Sequence, residues 1–180
     1  TDLGETLRAM GLDFYPLGSD TIGGRSNAFT RQVFAGASSN AESYRHELAH
    51  IILQPVLGPG APGAVIEGLM TWTGGSAGID FGGLLPGLAR YLDAHPELTL
   101  QDVMVRPPLR EGSLDVAYDG FAVLCRMIYE RGGMTALRGF LTAGRTPDEV
   151  LGGAAKLLMI PRASLDQAWR GWIANQASAR

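Results

Sequence analysis

Hydrophobic positions recur at helical spacing over most of this chain. After Ala37, "SSNAESYRHELAHIIL" offers Ser or Asn as an N-cap, acids in the early turns, and apolar residues at Leu48, Ile51 and Ile52. Pro55 is expected to bound that helix. A Gly/Pro loop, "LGPGAPG", leads to a second helical segment, "AVIEGLMTW", and the glycine pairs of "TGGSAGIDFGG" break the chain again. Helical patterns follow at "LLPGLARYLDAH", "SLDVAYDGFAVLCRMIYERGG", "MTALRGFLTAG", "TPDEVLGGAAKLL" and "SLDQAWRGWIANQ". The fourth of these begins with Thr146 as N-cap, Pro147 at the first helical position and two acids behind it.

The pattern before Ala37 is different. "ETLRAMGL" reads as a short helix ended by Gly11, while "LDFYPL" and "FTRQVFAGA" carry the aromatic and β-branched content of strands. Between them, "GSDTIGGRSN" reads as a turn-rich loop. The prediction is an α+β domain, β-rich over about 1–38 and helical over about 41–178. It places a small mixed or antiparallel sheet, with an edge strand, over a mainly helical body. No repeat or linker divides the 180 residues, so a single domain spanning 1–180 is expected.

Composition excludes more than it assigns. The net charge of −3 and pI of 5.6 give no basic surface for nucleic acid or anionic lipid. No apolar run is long enough to span a membrane, and the first residues lack the apolar centre of a signal peptide. The chain begins at Thr1, as either a trimmed or a processed chain would, exported or cut from a larger bacterial protein, so localisation is not readable from the N-terminus. Cys125 is the sole cysteine, within the helical pattern "FAVLCRMIY", and is read as a core residue.

The candidate chemistry lies in "HELAH", which holds two of the three histidines. Residues four apart share one face of a helix, so His46 and His50 can aim imidazole nitrogens at one zinc ion. Glu47 is rotated about 100° from His46, poorly placed as a ligand but able to reach a water in an open coordination position. This is the HExxH arrangement of two ligands and a general base. A third ligand is required for a catalytic zinc site. Between Leu53 and His95 the carboxylates are Glu67, Asp80 and Asp93. Asp80 looks like a turn residue or N-cap, Asp93 belongs to a later amphipathic helix, and His95 sits at a helix end beside Pro96. Glu67 instead lies in an apolar helix, among Val65, Ile66, Leu69 and Met70, where an uncompensated carboxylate is costly. Gly68 after it suggests a close backbone approach, such as that of the first helix. Glu67 is therefore the expected third ligand.

The pair "HELAH" and "VIEGLMTW" resembles the gluzincin metallopeptidases, whose third zinc ligand is a glutamate on a second helix. The chain looks most like the small bacterial peptidase MA-like domains. These run "HELxH", a Pro-rich loop, then "EG", a tyrosine opening a long helix, and a final helix with tryptophan. Here "VAYDGFAVLCRMIYERGGMTALRGFL" and "LDQAWRGWI" follow that order. The resemblance spans Phe29 to Ile173, with its specific motifs at 46–50 and 67–68. It implies a zincin-like fold with one zinc per chain on His46, His50 and Glu67, and Glu47 as general base toward the zinc-activated water. It also implies Tyr118 as a donor to the tetrahedral oxyanion, and an edge strand at 29–37 that pairs with an extended peptide substrate. One departure stands out. Thermolysin-like relatives place an aspartate one turn after the glutamate ligand, where this chain has Thr71; a hydroxyl or a backbone carbonyl then has to support the zinc histidine. The expected activity is zinc-dependent peptide hydrolysis. The alternatives are a zinc-binding scaffold of the same fold without turnover, and a zinc-free helical domain.

Overall fold

The computed structural model describes residues 24–27, 32–35, 43–57, 61–105, 110–111 and 114–179. The expected N-terminal helix and the strand at "LDFYPL" lie outside these residues. Two strands open the described chain, β1 (Gly24–Asn27) and β2 (Gln32–Ala35), paired antiparallel with Gly24 opposite Ala35 and Asn27 opposite Gln32. β1 falls in a segment whose glycines and polar residues read as loop; pairing with β2 overrides its weak local preference. Of the expected strand at 29–37, Gln32–Ala35 is described as strand. Two short strands take the place of the larger sheet expected over about 1–38 in what is described here.

The body is helical, as the periodicity predicts. Helix α1 (Ser43–Leu57) is followed by α2 (Gly63–Gly74), α3 (Phe81–Ala94) and the short α4 (Leu100–Val105). A two-residue ladder of β3 (Arg110–Glu111) with β4 (Leu114–Asp115) then leads into α5 (Val116–Leu141). Helices α6 (Pro147–Leu158) and α7 (Leu165–Ser178) complete the chain, joined by a 3₁₀ turn at Arg162–Ser164. None of the described helices is long and apolar enough to cross a membrane.

Local chemistry sets most boundaries. Asp80 caps α3 by accepting from the Gly83 N–H at 2.7 Å. Thr146 and Glu149 form a reciprocal capping box at α6, with Pro147 in the first turn. Gly132 and Gly133 leave helical geometry and split α5 in two, Gly133 with φ of +60°. Helix α1, by contrast, runs two residues past Pro55. In the last turn a proline forfeits one N–H bond, and the tolerance is greater there than in mid-helix.

The core is organised on α5. Its first half buries Phe121 to Cys125, Met127 and Ile128, so this stretch is enclosed by other helices. Helix α2 lies across it, where Gly68 is needed: a Cβ there would stand 2.5 Å from Phe121 Cβ. The close approach foreseen at Gly68 is therefore to α5, not to α1. Helix α1 packs on the other side of α2, and β1 and β2 pack on α1. Helix α7 closes the far side. Its buried Trp169 indole donates to the Gly120 carbonyl at 3.0 Å, and Arg170 donates to the carbonyls of Leu92, His95 and Leu98. Cys125 is fully buried, and burial pushes its thiol pKa upward, as befits a core residue.

Candidate metal centre

Helix α1 turns its histidines inward. Leu48 and Ile52, expected on the apolar face, are exposed at 39% and 65%. His46, Ala49, His50 and Leu53 form the inner face, with Ala49 and Leu53 packed against the core. The spacing holds the two imidazoles together, their ring centroids 5.1 Å apart.

Two glycines at the end of α2 bring the helices into contact. A Cβ on Gly74 would lie 2.6 Å from the His46 backbone nitrogen and 2.7 Å from Arg45 C and O, so no other residue permits this approach. Gly75 follows with φ of +79°, the left-handed region that favours glycine, and its carbonyl accepts from His46 Nδ1 at 3.0 Å. The backbone carbonyl thus fixes the orientation of the His46 imidazole. Thr71, one turn after Glu67, has a buried hydroxyl with no protein partner.

Glu67 reaches both imidazoles from α2. Its Oε2 lies 3.1 Å from His46 Nε2 and 3.3 Å from His50 Nε2. The ligand atoms of the three residues all lie within 4.8 Å of one another, a group that could hold a metal ion. The donor set fits zinc. A tetrahedron with bonds of about 2.05 Å has edges of about 3.3 Å, close to the two separations involving Glu67. The hydrogen bonding fits as well. A carbonyl only accepts, so His46 Nδ1 carries a proton, and a neutral ring then turns the Nε2 lone pair toward the Glu67 carboxylate. Two lone pairs at that distance repel unless a proton or a cation lies between them.

The electrostatics agree. Burial pushes the Glu67 pKa up, but hydrogen bonds and charge from His46 and His50 outweigh it and hold the carboxyl at about 2. His46 is raised above its ordinary value: burial opposes this, and Glu67, the Gly75 carbonyl and the Glu47 charge outweigh burial.

Glu47 is half-buried beside this group, and its charge acts on His46. Tyr118, half-buried at the start of α5, lays its ring nearly parallel to His46, with centroids 6.2 Å apart and planes inclined by 10°. Its backbone N–H donates to Asp115 Oδ1. His95 is elsewhere, at the C-terminus of α3 beside Glu97 and Tyr91. Asp119, not among the candidates read from the sequence, is 1% exposed on the first turn of α5. Burial foremost, and the charge of Asp115 next, push its carboxyl up to about 8. Its only visible signal in sequence is an acid between Tyr118 and Gly120 at the head of an apolar helix.

No protein-family model, curated protein or solved structure matches this chain. The functional reading therefore stands on the site itself.

Proposed function

We propose that this chain is a zinc-dependent metallopeptidase of the gluzincin type, with the zincin-like fold of the peptidase MA-like domains. The observation that carries the reading is the meeting of His46 and His50 on one helix with Glu67 on the next, their donor atoms within 4.8 Å. Bound zinc supplies Lewis acidity for the scissile carbonyl and brings the pKa of a water toward neutrality. His46, His50 and Glu67 would hold it, with His46 fixed in orientation by the Gly75 carbonyl.

Glu47 acts as general base and then general acid. It takes a proton from the attacking water and delivers it to the departing amine nitrogen. Tyr118, at the His46 ring, donates to the oxyanion that develops on the carbonyl. Strand β2 pairs its backbone with an extended peptide or protein substrate. The decisive variant is Glu47→Gln, which removes a base and leaves the three ligands. It keeps zinc and fold and loses hydrolysis of a fluorogenic peptide mixture. Undiminished turnover would remove Glu47 from the mechanism; zinc without turnover in the wild type would leave a binding domain.

A further inference from the structure

The buried side-chain polar atoms without a protein hydrogen-bond partner, among the described residues, are Thr71 Oγ1 and both carboxylate oxygens of Asp119. Both residues sit on helices that carry the site. Thr71 is one turn after Glu67 on α2, and Asp119 follows Tyr118, whose ring lies against His46. A sealed carboxylate with no partner costs stability and calls for an explanation.

The structural explanations fall short. Asp115, not Asp119, supplies the side-chain cap of α5, accepting from the Tyr118 N–H. The Asp115 backbone favours the charged form of Asp119, yet neither carboxylate oxygen has a hydrogen-bond partner. A first-turn acid gains from the helix dipole about 0.3–1 kcal/mol, less than the several kcal/mol that an uncompensated buried charge costs. Among the described residues no arginine or lysine pairs with Asp119. The residue before it, Tyr118, lays its ring against His46.

We infer that Asp119, buried on the first turn of α5 next to the Tyr118 that lies against His46, is a positioning residue of the metal centre, a carboxyl that ionises to balance the charge of the bound dication. The inference rests on the reading of His46, His50 and Glu67 as ligands. A dication on two neutral imidazoles and one carboxylate leaves a net charge of +1 on the ligand set; Glu47 meets it from the open side, where its proton is exchanged in turnover, and Asp119 adds a buried carboxyl that takes no part in that exchange. At 1% exposure it cannot touch substrate, so its effect is on the metal and its ligands.

The test is the zinc dissociation constant, by competition with a chromophoric chelator, for wild type and Asp119→Asn. The Asn side chain keeps the shape and removes the charge, so the metal-free variant stays folded. Its affinity for zinc falls ten- to a hundredfold, and the cobalt-substituted protein shows a shifted visible spectrum. An affinity within twofold of wild type, with an unchanged cobalt spectrum, overturns the inference and leaves the ligands intact. A purely structural Asp119 gives a different signature: thermal midpoints of metal-free and zinc-loaded protein fall together, with the dissociation constant unmoved. If the Asn variant does not fold, Asp119→Ser is measured in the same way, and wild-type affinity there has the same consequence. A wild type that takes up no zinc is a separate outcome, which removes the metal centre and Asp119 together.

Discussion

Gly74→Ala adds one methyl group where α1 meets α2. The new Cβ would stand 2.6 Å from His46 N and 2.7 Å from the carbon and oxygen of the Arg45 carbonyl. These are backbone atoms in a helix, and no rotamer change relieves the overlap. Restoring ordinary contact at about 3.4 Å or more requires α1 to retreat by about 0.8 Å. Overpacking of this kind costs about 1–3 kcal/mol, offset by up to about 1 kcal/mol from replacing a helical glycine with alanine. The net loss is about 0–3 kcal/mol, or a fall in thermal midpoint of up to about 12 °C for a chain of this size. The larger effect is on the metal. His46 and His50 travel with α1 and Glu67 stays with α2, so the ligands separate by several times the tolerance of about 0.2 Å that metal bonds allow. Zinc affinity should fall at least about tenfold, measured by chelator competition. Gly153→Ala is the control, since its Cβ would collide with Ala143 in a different part of the molecule. It should lower stability and leave zinc affinity alone. Wild-type zinc affinity in folded Gly74→Ala would refute the claim that this glycine sets the ligand geometry.

Two further outcomes follow from the site. Tyr118→Phe should lower turnover by about a hundredfold, the scale of one lost oxyanion donor, with zinc affinity unchanged; an unaltered rate removes Tyr118 from catalysis. Thermal midpoints of the metal-free protein, followed in chelator from pH 2.5 to 9, should be highest in mild acid. Glu67 is held at about 2 against an ordinary 4.5, so its contribution is present above pH 4.5 and is lost as pH falls toward 2. Asp119 runs the other way. Raised from 3.8 to about 8, it is stabilising below pH 3.8 and that contribution is lost as pH climbs to 8. A midpoint independent of pH across both windows would contradict both assignments.

What the sequence made legible was local. Four-residue spacing placed His46 and His50 on one face, and an acid among Val65, Ile66, Leu69 and Met70 marked Glu67 as unusual. Thr146 and Pro147 announced the start of α6, and the glycine pair at 132–133 its break in α5. Tertiary approaches were less legible. The glycines at 74 and 75 read as a helix stop, yet one admits the backbone of α1 and the other aims a carbonyl at His46. Gly68 signalled a close approach without saying to which helix. Leu48 and Ile52 outrank histidine on any hydrophobicity scale, yet the structure turns them out and the imidazoles in, because Glu67 and Gly75 supply the partners that buried polar groups require. β1 was hidden for a similar reason, since a short glycine-led strand is specified by its partner.

The most direct test of the central claim is the zinc content of protein purified without chelator, wild type beside Glu67→Ala. The account predicts near one zinc per chain in the wild type and far less in the variant. Equal zinc in both would reassign the third ligand, and well-folded wild type that stays metal-free even after zinc is added would contradict the account outright.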